Sequence, residues 1–332
     1  MKVKMIAAVL FILLTISCKK QDIPLTIVNE TITMGSGYAN DVFYSLSTGF
    51  VATVPRTNWD IAFQTGSRSS TIIINGGAAM KLYTFPNGDI SSWNSVNTTG
   101  IGTWKALNNS DTTWSLGAVE RNALGHTDYG WGIYNSVTHD VVGDSLFVIQ
   151  LQDQSYRKLW IKKKASVDNK YIFQFANIDG SGSILDTVDC KPYTGKNFIY
   201  YSFATKDVVN REPDKDAWDF VVTKYIEMIP GVTGGKVPYP VIGFLTNTGI
   251  KSAQLANVTV TSNDFSSTKF VTSISEIGSD WKTFNMSTNQ WSLTSSRVYF
   301  IKNKGLSVFK IVFTGYEGST TGILKFDKTK LN

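Results

Sequence analysis

Few residues of this chain combine a reactive side chain with a spacing that supports chemistry. The 332 residues include only two histidines, His126 and His139, and only two cysteines, Cys18 and Cys190. These numbers are too small for a multi-histidine metal centre or a four-cysteine zinc site. The two histidines are close enough in sequence for a hairpin to bring their rings together. Cys190, the only cysteine beyond the N-terminal segment, is expected to be a small packed residue rather than a nucleophile.

The familiar catalytic motifs are absent from the sequence. It contains no Walker-type loop, no Gly-x-Ser-x-Gly elbow and no His-Glu-x-x-His. The carboxylates are dispersed, whereas a glycosidase needs two of them on one cleft. We therefore expect a binding protein and not an enzyme.

The N-terminus resembles the signal of a bacterial lipoprotein. An apolar run over residues 5–16 follows a short basic start. It is too short to cross a bilayer, which takes about 20 residues, and suits a signal-peptide core. The run ends in TISC, which resembles a lipobox, although Thr15 stands where Leu is commonest. The resemblance implies cleavage before Cys18 and lipidation of its sulfur; an ordinary signal peptide with an incidental cysteine is the alternative. The predicted segments are a signal peptide over 1–17 and a tether over 18–26.

Composition describes a folded, moderately basic chain. Charged residues make up 17% of the sequence and apolar residues 42%, which argues against intrinsic disorder. The formal net charge is +6, but the basic residues are scattered and their longest run is Lys162-Lys163-Lys164. Nucleic-acid binding needs a concentrated basic stripe, so we expect no nucleic-acid partner. The length suggests two domains.

Alternating apolar and polar residues predict an all-β protein. Strand-like segments rich in β-branched and aromatic residues recur along the chain, for example Leu146–Leu151, Tyr171–Phe175 and Val308–Phe313. Turn formers such as Asn75-Gly76-Gly77 separate them. This pattern of short strands and turns is typical of β-sandwiches and curled sheets, and the sequence predicts no long amphipathic helix.

The chain also contains an internal repeat. Residues 43–63 and 200–222 share an aromatic-Tyr-Ser start and a later Trp-Asp pair, Trp59-Asp60 in one copy and Trp218-Asp219 in the other. We interpret the tryptophans as core and the aspartates as anchors for neighbouring backbone. Further matches keep the same order, including Trp131 with Trp281. The repeat predicts two tandem related β domains, over 27–183 and 195–332.

The second half resembles the HmuY-type haem-binding lipoproteins of Bacteroidota. The residues that carry the resemblance are Tyr200–Phe203, Val208–Asn210, Trp218–Phe220, Lys224-Tyr225, Trp281-x-x-Phe284, Arg297–Ile301, Gly305, Lys310-Ile311, Phe313–Tyr316 and Gly322–Phe326. In the first half the resemblance is looser and rests on Tyr44–Phe63 and on Asn122–Gly125 before Gly130-Trp131. It implies an HmuY-like all-β fold with a haem cleft. It also implies a role in iron acquisition, at the outer membrane on the cell surface or the periplasmic face, with haem passed to an outer-membrane transporter.

The same resemblance directs attention to iron ligands. Family members hold haem iron with a pair of histidines or methionines, both established axial donors. One family ligand lies five residues after the tryptophan of the Trp-x-x-aromatic motif, a position occupied here by Met286 in the second half and Ser136 in the first. The expected partner of Met286 is missing. His126 and His139 are the other candidate haem ligands, and two surface histidines sharing a loop region by accident are the alternative. Less regular candidates are Met228, Tyr239 and Tyr316.

A second hypothesis starts from the nine tryptophans. Four of them lie in polar surroundings and could form exposed stacking platforms for a glycan or a peptide; they are Trp93, Trp104, Trp114 and Trp291. This hypothesis predicts no iron, and binding that depends on tryptophan. A third possibility is an adhesion or assembly module without a ligand.

Overall fold

The computed structural model describes residues 25–332, so the predicted signal peptide, Cys18 and most of the tether lie outside the described residues. The strands of the first half are β1 (Ile27–Thr33), β2 (Asn40–Ser45), β3 (Gly49–Pro55), β4 (Ile61–Gln64), β5 (Ile72–Ile74), β6 (Lys81–Thr84), β7 (Gly132–Tyr134), β8 (Val141–Gly143), β9 (Phe147–Gln150), β10 (Tyr156–Ala165), β11 (Lys170–Asn177) and β12 (Ile184–Asp189). Those of the second half are β13 (Phe198–Ser202), β14 (Asp207–Val209), β15 (Phe220–Pro230), β16 (Lys236–Thr246), β17 (Lys251–Ala256), β18 (Lys282–Asn285), β19 (Gln290–Leu293), β20 (Arg297–Lys302), β21 (Val308–Tyr316) and β22 (Ile323–Lys330).

In the part of the chain that the structure describes, helical structure is limited to short 3₁₀ turns, so the prediction of an all-β fold is confirmed. The turns are Ser36–Tyr38, Gly76–Ala78, Ile90–Ser95, Ile101–Thr103 and Lys191–Tyr193. Within residues 25–332, no helix has the length and apolar character needed to cross a membrane.

The strands form five open antiparallel sheets. The sheet orders are β1-β22-β21-β20-β17; β12-β11-β10-β8-β7, with β9 between β6 and β10; β14-β13-β4-β5; β16-β15-β2-β3; and the hairpin β18-β19. Three of these sheets combine strands from both halves of the chain, since β1 pairs with β22, β2 with β15, and β4 with β13.

The two largest hydrophobic cores result from this pairing. One is built from residues between 61 and 203 and contains Trp131. The other combines residues 32–46 with residues between 220 and 326, and contains Trp281. Both tryptophans are almost fully buried, as expected for large apolar side chains at matching places in two copies of one fold.

The repeats exchange their first hairpins. Hairpin β2–β3 belongs in sequence to the first copy but pairs with β15, which follows the Trp-Asp pair of the second copy. Hairpin β13–β14 belongs to the second copy but pairs with β4, which follows the Trp-Asp pair of the first. The division into related units at 27–183 and 195–332, and their independence as folding units, remain proposals.

The aspartates of the two Trp-Asp pairs hold this exchange in place. Oδ2 of Asp60 accepts a hydrogen bond from the backbone N–H of Phe203 at 2.6 Å. Oδ2 of Asp219 accepts one from the N–H of Leu46 at 2.7 Å. Both carboxylates are buried, and burial raises the pKa of each above its usual value. Each Trp-Asp pair thus anchors the turn of the other repeat's hairpin, in agreement with the interpretation of these residues as structural.

Candidate functional site

His126 and His139 line one surface cleft. Its volume is about 550 Å³, and its other lining residues include Tyr129, Tyr134 and Val141. The cleft lies beside hairpin β7–β8. The structure therefore brings together the two histidines that the spacing suggested, and leaves both exposed to solvent.

Tyr134 lies between the two histidines. Its hydroxyl is 2.6 Å from Nδ1 of His139, and its ring centroid is 5.6 Å from that of His126 and 6.1 Å from that of His139. When Nδ1 donates to the phenol oxygen, Nε2 of His139 carries the lone pair that a metal ligand requires. Tyr134 thus orients one candidate ligand and leaves its outer nitrogen available.

The turn between β7 and β8 sets the position of His139. Oδ1 of Asn135 accepts hydrogen bonds from the N–H groups of Val137 and Thr138, at 2.8 and 3.1 Å. The N–H of His139 donates to the carbonyl of Asn135, and His139 itself has a φ of 61°. A left-handed residue at the end of a tight turn directs the chain back into β8.

A glycine lets this hairpin approach the main sheet. A Cβ atom on Gly143 would lie 1.7 Å from the carbonyl oxygen of Ile161, which is sterically impossible without backbone movement. The absent side chain therefore permits β8 to lie close against β10 and fixes the hairpin that carries Tyr134.

Two basic residues line the cleft, one from a loop and one from a bulged strand. Arg68 lies in the exposed loop between β4 and β5, and Lys164 lies on β10. The register of β10 shifts between Ile161 and Lys163, and such a bulge reverses the inward–outward alternation. Lys164 is consequently buried, where it donates to Oδ1 of Asn169 at 2.6 Å, and burial lowers its pKa to about 8.

The matching hairpin of the second repeat lacks the histidine. Oδ1 of Asn285 accepts from the N–H groups of Ser287 and Thr288, as Asn135 does in the first repeat. When Trp131 is aligned with Trp281, the position of His139 is occupied by Asn289, which has a φ of 54°. Trp291 occupies the position of Val141, and its ring lies 5.1 Å from that of Tyr316. An aromatic cluster thus replaces the histidine cleft.

Met286 lies in that second turn and is 83% exposed. It is not among the residues that line the cleft, so the structure does not bring it together with His126 or His139. Of the less regular candidates, the hydroxyl of Tyr316 is bonded to that of Tyr38 at 2.6 Å, and Tyr239 is exposed. The backbone N–H of Met228 donates to Asp111. The role of Met286 as a ligand remains a prediction.

Three of the four tryptophans in polar surroundings are partly buried. Trp93 and Trp104 pack against the cluster of Phe85 and Leu146, and Trp114 packs between two other clusters. Only Trp291 of the four is classed as exposed. These side chains therefore cap sheets, which leaves the stacking-platform hypothesis with little exposed aromatic surface.

Sequence reasoning missed three contributors to the cleft, namely Tyr134 as the partner of His139, Arg68 and Lys164. Tyr134 was visible as the aromatic residue of the Trp-x-x-aromatic motif. Arg68 and Lys164 gave no local signal, because their places depend on a loop from another sheet and on a bulge. Within residues 25–332, no group of three or more His, Cys, Asp or Glu residues is arranged to hold a metal ion.

Comparison with known families places the cleft in a matched segment. The family described as HmuY protein matches residues 37–172, which include both histidines. Residues 37–172 are similar to the HmuY family. The matched segment lies in the part of the chain where the sequence analysis found the looser resemblance, and the resemblance of the second half remains a prediction. No curated protein matches this chain.

Two solved structures are similar to this chain. One is from Bacteroides vulgatus ATCC 8482 and is named as a candidate HmuY-like haem-binding protein. It shows 16% identity and a TM-score of 0.23, with 39% of this chain and 82% of that one covered. The other, named as a candidate lipoprotein of Bacteroides fragilis NCTC 9343, shows 14% identity and a TM-score of 0.22, with 39% and 80% covered. Scores this low carry no further argument.

Proposed function

We propose that the protein binds haem in the cleft beside hairpin β7–β8, with His126 and His139 as the axial ligands. The observation that carries the proposal is that the only two histidines of the chain line one cleft and flank one tyrosine. The match to the HmuY family over the same segment supports it.

The residues of the cleft suit the chemistry of haem. Two imidazoles are an established axial pair for haem iron. The porphyrin ring already holds the iron, so the protein needs to supply only the axial ligands. The exposed Arg68 would supply positive charge for a propionate. Exposed apolar side chains occur on the same segments, among them Leu124, Val137 and Val167. Such side chains would cover the apolar faces of the ring.

The experiment is a haemin titration of residues 25–332, followed by absorption spectra in the oxidised and reduced states. We expect a saturable Soret shift at one equivalent, and its loss in the His126→Ala, His139→Ala double variant. Tyr134→Phe should weaken binding by about 10- to 100-fold, because the orienting partner of a ligand histidine is lost.

Met286→Ala is the matched control, since it removes the other candidate ligand from the equivalent turn of the second repeat. We expect it to leave the Soret band unchanged. A double histidine variant that binds haemin like the parent protein would refute the proposal. Loss of haemin binding only in Met286→Ala would indicate that the site lies in the second repeat.

We further propose that the protein acts at the outer membrane, anchored through lipid on Cys18, and passes haem to an outer-membrane transporter. Its role is carriage, without catalysis. More than one acyl chain on one residue gives stable anchoring. Replacing Cys18 by Ala should move the protein out of the membrane fraction; retention there would contradict the lipid anchor.

A further inference from the structure

A second cavity lies where the two repeats meet, apart from the histidine cleft. Its volume is about 90 Å³. Trp59 and Trp218, the tryptophans of the two Trp-Asp pairs, both line it. Each packs edge-to-face on an aromatic residue of the exchanged hairpin, Trp59 on Tyr200 at 4.8 Å and Trp218 on Phe43 at 5.0 Å. The hairpin exchange therefore creates this cavity.

Hydrogen-bond donors without partners are concentrated in the lining. Nε1 of Trp59, Nε1 of Trp218 and Nε of Arg211 are buried and have no hydrogen-bond partner within the described part of the chain. Each of these three residues is at least nine-tenths buried. Leaving a buried donor unsatisfied costs about 1–3 kcal/mol, so three in the lining of one cavity indicate a bound acceptor.

The carboxylates of the lining are already engaged. Asp41 is paired with Arg211 at 2.7 Å and also accepts from Thr223 at 2.7 Å. Glu212 accepts from the N–H groups of Asn197 and Phe198 and from the hydroxyl of Tyr200. Burial raises the pKa of Glu212 to about 7, so much of its charge is lost near neutral pH. The lining therefore leaves donors free and does not repel a single negative charge strongly.

The size and walls of the cavity restrict the ligand further. A cavity of roughly 150 Å³ accommodates benzene, so this one holds a molecule of fewer heavy atoms. Its aromatic walls favour a short apolar group beside the acceptor. The segment Asn108–Trp114 lies at its partly exposed rim, and Trp114 donates to the carbonyl of Thr246 across the two halves of the chain.

We propose that this cavity binds a short-chain monocarboxylate, with its oxygens accepting from the free donors of Trp59, Trp218 and Arg211 and its alkyl group against the aromatic rings. The site is independent of the histidine cleft. It does not require that the protein bind haem.

The test is calorimetric titration of the protein with sodium propionate, with sodium chloride at equal ionic strength as a second arm. We expect saturable binding of one equivalent of propionate. Trp59→Phe and Trp218→Phe each keep an aromatic wall but lose one donor to a charged acceptor, and each should weaken binding about ten- to hundredfold. Trp160→Phe is the matched control, because its buried Nε1 also lacks a partner but Trp160 lies outside this cavity.

A readout that does not depend on the variants is the NMR signal of the indole N–H groups. The signals of Trp59 and Trp218 should shift with propionate in the parent protein, and that of Trp160 should not. The proposal is overturned by the absence of saturable propionate binding, by an equal response to chloride, or by unchanged affinity in both cavity variants. A cavity that holds only water would produce the first of these results.

Discussion

At the scale of single residues, burial changes the protonation of several groups on which the fold depends. Glu120 is buried beneath β5, where its carboxylate accepts from the N–H groups of Ile72 and Gly117, each at 2.8 Å. Burial outweighs these hydrogen bonds and raises its pKa to about 8, against an unfolded value near 4.3. The folded protein therefore holds this proton more tightly than the unfolded chain does.

The consequence for stability has a definite sign. The stabilisation that Glu120 gives by having a higher pKa in the folded protein than in the unfolded chain is fully present below about pH 4.3. It is lost as the pH rises through about 8. We expect the free energy of unfolding to fall over this range, with a slope of up to about 1.4 kcal/mol per pH unit from Glu120. Glu212, with a pKa of about 7, adds a second contribution of the same sign.

Denaturant unfolding of Glu120→Gln across pH 5–8 measures this contribution. The variant should show a shallower fall than the parent protein, because one titrating group is gone. Glu317→Gln, a partly exposed carboxylate near Lys325, is the control and should retain the parent slope. An identical slope in Glu120→Gln and the parent would show that Glu120 does not carry the proton.

At the scale of elements, the exchanged hairpins depend on two equivalent aspartates. Asp60 and Asp219 each bind the backbone N–H that follows the first strand of the other repeat's hairpin. A hydrogen bond to a charged group contributes about 1.5–3 kcal/mol, and the backbone donor left behind is buried. Asp60→Ala and Asp219→Ala should each lower the free energy of unfolding by about that amount.

Asp60→Asn and Asp219→Asn each keep a hydrogen-bond acceptor, so they should lower the free energy of unfolding less than the Ala variants do. Asp264→Ala is the control, because Asp264 is exposed and caps a local turn through Ser266; we expect a change within about 0.5 kcal/mol. Denaturant midpoints measure all five variants. If the two buried aspartates behaved like Asp264, the hairpin exchange would not depend on them.

At the scale of the whole molecule, the exchange decides which fragments fold. A fragment of residues 27–183 lacks β13, so β4 loses a neighbour and the first core loses Ile199 and Tyr201. A fragment of residues 56–212 contains all the strands of the first core, together with both Asp60 and Phe203. Packing complementarity predicts that the second fragment is the better folding unit.

The two fragments can be compared by thermal unfolding and amide hydrogen exchange. Fragment 56–212 should unfold cooperatively and protect the amides of β4, whereas 27–183 should not. Cooperative unfolding of 27–183 with protected β4 amides would contradict this, and would show that a repeat folds with its own hairpin.

The sequence by itself determined much of the local structure. Alternation and turn residues predicted the strands, the repeat predicted two related cores, and the Trp-Asp pairs were recognised as structural. These features depend on neighbours close along the chain. The spacing of His126 and His139 permitted their proximity, and in the structure β7 and the turn after it lie between them.

The tertiary structure alone decided how the hairpins are exchanged and what lines the two cavities. Because the repeats are alike, β2 has a similar partner in either copy, and local sequence does not choose between β4 and β15. The choice depends on contacts between residues far apart in the chain, such as Asp219 with Leu46. Lys164 reaches the histidine cleft through a bulge, and Trp59 and Trp218 line one cavity only because the hairpins are exchanged, so neither of these placements was visible from spacing.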